Sequence, residues 1–88
     1  MKKHLVITGK VQGVGFRYWI KNLAINNNIN GWVKNKMSGD VEALIIGEKK
    51  DVRKLIKLCE IGPSSATIQN IQVNDYEHDY SKEGFNIF

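Results

Sequence analysis

Apolar and polar residues alternate through the first stretch of the chain. Leu5 and Ile7 alternate with Val6 and Thr8, and a period of two is typical of a β-strand. From residue 16 the apolar positions recur at spacings of three and four, which predicts a helix with one buried stripe. That stripe comprises Phe16, Trp19, Ile20, Leu23 and Ala24. A run of asparagines at residues 26–28, followed by Asn30-Gly31, indicates that the helix ends there.

The second half of the chain repeats the change from period two to period three or four. Residues 31–35 and 41–45 predict two strands of a hairpin, joined by a tight connection at residues 37–39. Val52, Leu55, Ile56 and Cys59 then form a second helical stripe, with Asp51 in a favourable early position. Gly62-Pro63 ends that helix.

The remaining residues predict two more strands. Residues 66–76 form a strand whose apolar phase slips between Ile68 and Ile71, and such a slip indicates a β-bulge. Residues 77–84 form a polar loop, and Phe85 and Ile87 mark a short final strand. The order β-α-β-β-α-β predicts an α+β, ferredoxin-like sandwich, with an antiparallel sheet, both helices on one face and a short extra C-terminal strand.

Length and composition set limits on this fold. The 88 residues are 42% hydrophobic and 25% charged, which predicts one globular domain spanning residues 1–88. No apolar run reaches the ~20 residues of a membrane span, and the lysines at positions 2 and 3 precede no signal-like apolar stretch. We therefore expect a cytoplasmic protein that does not associate with membranes. Cys59, the only cysteine, is expected to lie in the core rather than to act in catalysis.

A glycine-rich loop, VQGVGFR, joins the first strand to the first helix. It lacks the third glycine of a dinucleotide fingerprint and the Lys-Ser/Thr of a P-loop, which excludes both nucleotide-binding motifs. Gly13 and Gly15 can adopt positive φ angles, and no proline removes an N–H from residues 12–17. Successive amides can then form a nest for an anion at the N-terminus of the helix. Arg17 can add a planar, two-pronged donor. A tight turn with a surface arginine is the alternative interpretation.

Asn35 is the second candidate. It shares its side-chain direction with Val33 and ends its strand, and this strand is predicted to run parallel to the first one. The ends of the two strands then lie at one edge of the sheet, where Asn35 can face the loop of residues 12–17. From the residues alone, an asparagine that caps the hairpin is the favoured interpretation of this position.

Three sequence blocks resemble the acylphosphatase family. They are Gly9 to Arg17, then Gly31 to Asn35 with Gly39-Asp40-Val41-Glu42, then Gly62-Pro63 followed by Ala66. The resemblance implies the ferredoxin-like fold and metal-free hydrolysis of acyl phosphates to a carboxylate and inorganic phosphate. It implies that Arg17 binds the phosphoryl group with the loop amides and that Asn35 orients the attacking water. The implied phosphate-binding residues are Gln12, Gly13, Val14, Gly15, Phe16 and Arg17.

Two positions depart from the family pattern. Ser38 stands where the family usually has aspartate, and Lys10 replaces a common arginine. Serine also forms turns, so we expect little effect on catalysis. We expect the protein to be a monomer and to use no cofactor or metal.

The alternative function is a ferredoxin-like RNA-binding or regulatory module without catalysis. The net charge of +4 is compatible with nucleic acid, but the first and third strands carry no aromatic residue on which bases could stack. The regulatory alternative would make this fold part of a larger maturation enzyme. We expect the free-standing enzyme, with no nucleic acid partner. His4, His78 and the basic residues Arg53, Lys54 and Lys57 are expected at the surface.

Overall fold

A computed structural model describes all residues, 1–88. The chain forms five strands and two helices: β1 (Lys2–Lys10), α1 (Phe16–Asn26), β2 (Asn30–Asn35), β3 (Val41–Ile46), α2 (Lys49–Ile61), β4 (Thr67–Asp75) and β5 (Phe85–Ile87). Every predicted element is present, with bounds shifted by a few residues at most. No helix is long and apolar enough to cross a membrane.

The strands form one sheet in the order β4-β1-β3-β2-β5. The first four pair antiparallel, as predicted. β5 instead pairs parallel to β2, with Gly31 opposite Phe85 and Val33 opposite Ile87. The sheet is therefore mixed rather than wholly antiparallel. Because β1 and β2 each run antiparallel to β3, they run parallel to each other and end at the same edge.

The core lies between the sheet and the two helices. Alternate strand residues such as Leu5, Val33 and Ala43 point to one face, and the buried stripes of both helices cover that face in a single apolar cluster. The other members of the cluster are Ile7, Val11, Phe16, Ile20, Ala24, Ile29, Val41, Ile45, Val52, Leu55, Cys59 and Phe85. One continuous core fixes the positions of both helices on the sheet, which confirms the predicted arrangement.

The predicted β-bulge is present in β4. Thr8 pairs with Asn70 and Gly9 pairs with Ile68, so that Gln69 has no partner on β1. One extra residue on one strand changes the phase of the side chains on either side of it. This explains why both Ile68 and Ile71 pack against the core although they are three residues apart.

The open face of the sheet carries a polar and aromatic group of side chains. His4 Nε2 and Glu42 form a hydrogen bond of 2.6 Å, and Lys34 lies 3.4 Å from the same carboxylate. Burial alone would raise the pKa of Glu42, but hydrogen bonds from His4 and Lys34 outweigh it and hold that pKa below its usual value. His78 is exposed as predicted, whereas His4 is half-buried because it also packs against the Trp32 ring.

Candidate active site

The loop between β1 and α1 has the backbone that its glycines predict. Gly13 and Gly15 have φ angles of 73° and 77°. Gly15 occupies the position just before α1, where no side chain caps the helix. Residues other than glycine rarely adopt this left-handed conformation. The two glycines therefore allow the chain to fold back on itself directly before the helix begins.

The amides of this loop have no hydrogen-bond acceptor within the protein. None of the backbone N–H groups of residues 12–18 donates a hydrogen bond to another protein group, and the first bond of the helix runs from Trp19 to Gly15 at 3.0 Å. The first turn of α1 also contains no acidic residue. Unpaired amides and the positive end of a helix together favour an anion at this position.

Arg17 lies in the first turn of α1 beside these amides. Its Nη1 donates a hydrogen bond of 3.2 Å to the carbonyl oxygen of Phe88, and the Phe88 amide donates one of 2.9 Å to Val33. A guanidinium group has five N–H donors, so this contact leaves four free. The Phe88 carbonyl thus anchors the arginine beside the cavity without occupying most of its donors.

Asn35 lies at the end of β2 and lines the same small cavity as the loop. The cavity has a volume of about 110 Å³. It is lined by Val11, Gly13, Gly15, Phe16, Arg17, Tyr18 and Asn35. The carboxamide of Asn35 makes no hydrogen bond to the protein. Asn35 therefore does not cap the hairpin. Asn35 and Arg17 thus line one cavity, as the parallel course of β1 and β2 predicts.

Two of the six predicted phosphate-binding residues do not line the cavity. The carboxamide of Gln12 turns towards the β2–β3 hairpin, where Nε2 donates to the carbonyls of Lys36 at 2.7 Å and Asp40 at 2.8 Å. Val14 packs against the core, and its carbonyl accepts a bond of 2.9 Å from Ser65. Only the backbone amides of these two residues are free to meet a ligand.

Tyr18 is a lining residue that the sequence analysis missed. It follows Arg17 directly in the first turn of α1, and 67% of it is exposed. Its position next to the arginine was the one available signal, but aromatic residues are common at many kinds of site. Its exposure beside the cavity makes it a neighbour of any ligand held by the loop.

Cys59 is excluded as a nucleophile of this site. It is fully buried in the core, as predicted. Burial, with a smaller contribution from Glu60, raises the pKa of its thiol to about 12. The thiolate is the reactive form of cysteine, so a thiol with this pKa is inert at neutral pH.

The comparison with known families agrees with this geometry. The family model described as Acylphosphatase matches residues 3–87. The chain belongs to the acylphosphatase family. The resemblance of the three sequence blocks is therefore confirmed over nearly the whole chain.

Individual members of the family are similar in both sequence and structure. An acylphosphatase from Pelotomaculum thermopropionicum is 39% identical over 88 residues, which cover 98% of this chain and 94% of that protein. The crystal structure of acylphosphatase from Bacillus subtilis superposes with a TM-score of 0.94 at 29% identity, covering 99% of this chain and 97% of that one.

The acylphosphatase fold also occurs within a much larger protein. Full-length HypF, solved in a phosphate- and nucleotide-bound form, contains a region 35% identical to this chain, with a TM-score of 0.90. The match covers 99% of this chain but only 11% of HypF. The separate acylphosphatases match over most of their own length, so they are the nearer comparison for the whole chain.

Proposed function

We propose that this protein is an acylphosphatase whose active site is the cavity between the 12–17 loop and Asn35. The observation that supports this most directly is that loop residues with unbonded amides line one cavity together with Arg17 and Asn35. The amides and the guanidinium bind the phosphoryl oxygens, and the carboxamide orients a water molecule. We propose residues 1–88 as one catalytic domain, acting as a cytoplasmic monomer without a nucleic acid partner.

The chemistry requires few functional groups because the leaving group is already good. Water attacks phosphorus in line, the bond from phosphorus to the acyl oxygen breaks, and its electron pair leaves with the carboxylate. A carboxylic acid has a pKa of about 4, so the carboxylate leaves at neutral pH without a general acid. The water proton passes to a phosphate oxygen, since an amide such as that of Asn35 is not a base. Water and acyl phosphate thus give a carboxylate and dihydrogen phosphate with charge conserved.

Fixed positive groups supply the rest of the catalysis. Phosphoryl transfer is accelerated mainly by positioning and by stabilising charge on the phosphoryl oxygens. Amides held by the fold do this without reorganising, and removing one such donor typically costs ~10²–10³ in rate. The guanidinium of Arg17 supplies permanent positive charge at the same place. We therefore propose a mechanism that requires no metal ion and no cofactor.

The small size of the cavity indicates broad selectivity for the acyl group. Its volume of about 110 Å³ is well below the roughly 300–1,000 Å³ of typical small-molecule pockets. The phosphoryl group is accordingly the part of the substrate that the cavity holds, and the acyl group extends towards Tyr18 and solvent. We expect substrates that share the acyl phosphate group and differ in the remainder.

The proposed function is tested with two compounds that differ in their leaving group. In buffer containing EDTA, the protein should hydrolyse benzoyl phosphate, which releases a carboxylate. It should leave phenyl phosphate intact, because a phenol has a pKa of about 10 and the site contains no acid to protonate it. Equal hydrolysis of both compounds would contradict the leaving-group argument. Activity that is lost in EDTA and restored by Mg²⁺ would contradict the metal-free mechanism.

A further inference from the structure

Gln12 connects the two halves of the proposed active site. One half is the loop of residues 12–18, and the other is Asn35 at the start of the β2–β3 hairpin connection. Only the Gln12 side chain forms hydrogen bonds between residues 12–18 and residues 35–40. This carboxamide is therefore the direct hydrogen-bonded link between the two halves, in addition to the sheet and the core that carry them.

The contact uses both hydrogens of the Gln12 amide. Nε2 donates to the carbonyls of Lys36 and Asp40, which lie at opposite ends of the hairpin connection. Each carbonyl also takes part in a backbone bond of that connection: Lys36 N–H donates to Asp40 at 2.8 Å, and Gly39 N–H donates to Lys36 at 3.1 Å. A carbonyl oxygen has two lone pairs and can accept two hydrogen bonds. Gln12 therefore supplies the second hydrogen bond to each of these oxygens. Two acceptors also dictate that nitrogen, not oxygen, faces the hairpin.

Asn35 is held in place by its backbone and not by its side chain. Its backbone pairs with Val41 in the ladder, and its own carboxamide makes no hydrogen bond to the protein. Lys36, whose carbonyl Gln12 holds, is the next residue in the chain. Because Gln12 itself begins the glycine loop, a shift of the hairpin relative to the loop would move Asn35 relative to the bound phosphoryl group.

We propose that the Gln12 side chain is a positioning residue for Asn35. It holds the hairpin against the loop so that the water oriented by Asn35 meets phosphorus in line. It does not touch the substrate with its carboxamide, and its backbone amide contributes separately to phosphate binding. This inference rests on the proposed function, and it assigns to Gln12 an effect on turnover rather than on phosphate affinity.

The proposal is tested with Gln12→Met, which keeps the length of the side chain and removes both donors. We expect kcat for benzoyl phosphate to fall by roughly 10- to 100-fold, since small misplacements of reacting groups have effects of this size. The affinity for inorganic phosphate, measured as competitive inhibition, should stay within about threefold of wild type, because the loop amides and Arg17 remain. Ser38→Ala is the matched control: it removes the hydroxyl bonds of Ser38 with Asp40 but keeps both bonds from Gln12 to the hairpin carbonyls, and kcat should be unchanged.

A double variant separates positioning from general damage. If Gln12 acts through Asn35, adding Gln12→Met to Asn35→Ala should lower kcat no further than Asn35→Ala alone. The proposal is overturned if the two effects multiply, if Gln12→Met keeps wild-type kcat, or if phosphate affinity falls as much as kcat.

Nuclear magnetic resonance spectra of the same single variants test the link without measuring activity. The Asn35 side-chain amide signals should move in Gln12→Met and not in Ser38→Ala, and unmoved signals would overturn the link. A wild-type protein that leaves benzoyl phosphate intact contradicts the proposed function, and these spectra then decide the link alone.

Discussion

Arg17 and Asn35 differ in what they can contribute to the same cavity. Arginine is charged at every relevant pH and offers several donors in one plane, so it suits the oxygens of a phosphoryl group. Asparagine is neutral and carries both a donor and an acceptor, so it suits a water molecule. The structure places them on different elements, α1 and β2, around one cavity. The two residues should therefore have separable effects on binding and on turnover.

Replacing Asn35 by alanine should affect turnover alone. We expect Asn35→Ala to lower kcat for benzoyl phosphate by about 10²-fold or more, because the attacking water loses its orientation. Inhibition by inorganic phosphate should stay close to that of wild type, since Arg17 and the loop amides are intact. Steady-state kinetics with phosphate as inhibitor measure both quantities. Asn70→Ala, a change of an exposed strand asparagine on β4 outside the cavity, is the control. Loss of phosphate inhibition in Asn35→Ala would contradict the assigned role.

At the residue scale, local backbone features follow from the sequence, whereas contacts between distant residues do not. Positive φ at the two loop glycines and the approach of Asn35 could be predicted, because both follow from local rules of backbone and strand geometry. The bond from Arg17 to Phe88 could not, since it joins residues 71 positions apart and involves a backbone carbonyl that any residue could supply. The direction of the Gln12 carboxamide also depends on tertiary contacts, so spacing along the chain carries no signal for it.

At the scale of elements, the site depends on a strand-to-helix turn that only glycine forms without strain. A Cβ atom added at Gly15 would meet no atom within 4 Å, and the φ angle there is 77°. Space is therefore available, and the restriction comes from the backbone alone. Any side chain at this position must adopt the left-handed conformation or reorient the amides.

Substitutions at Gly15 should be ranked by their tolerance of that conformation. Gly15→Ala should lower the free energy of unfolding by about 1–2 kcal/mol, Gly15→Asn by less and Gly15→Val by more. Urea denaturation measures this order, and phosphate inhibition should weaken in the same order as the amides move. Gly39→Ala, at another open position with positive φ, should lose stability while phosphate inhibition is unchanged. Equal stability of the three Gly15 variants would contradict the constraint.

The elements themselves were largely predictable, with one informative exception. The hydrophobic period predicted both helices and the β4 bulge, because an element with one buried face has apolar residues at regular spacings. The placement of β5 could not be predicted, because three residues are too few to show a hydrophobic period. Its parallel pairing with β2 also depends on the path of the preceding polar loop. That pairing positions Phe88, and hence the carbonyl that contacts Arg17.

At the scale of the whole molecule, the strand order assembles the site. β1 and β2 run parallel on either side of β3, so the loop after β1 and the hairpin after β2 emerge at the same edge of the sheet. The helices and the single apolar core cover the adjacent face and hold this edge fixed. This arrangement suits the proposed mechanism, in which the protein orients a phosphoryl group and a water molecule and forms no covalent bond with the substrate.

Arg17 and the loop amides are the groups proposed to bind and stabilise the phosphoryl group. The most direct measurement is hydrolysis of benzoyl phosphate in EDTA by wild type and by folded Arg17→Ala, with phosphate inhibition measured for both. We predict that wild type is active and that Arg17→Ala loses at least ~10³-fold in turnover, the scale of an arginine that stabilises a phosphoryl transition state. Phosphate inhibition should weaken at the same time. Turnover in Arg17→Ala close to that of wild type would contradict the account.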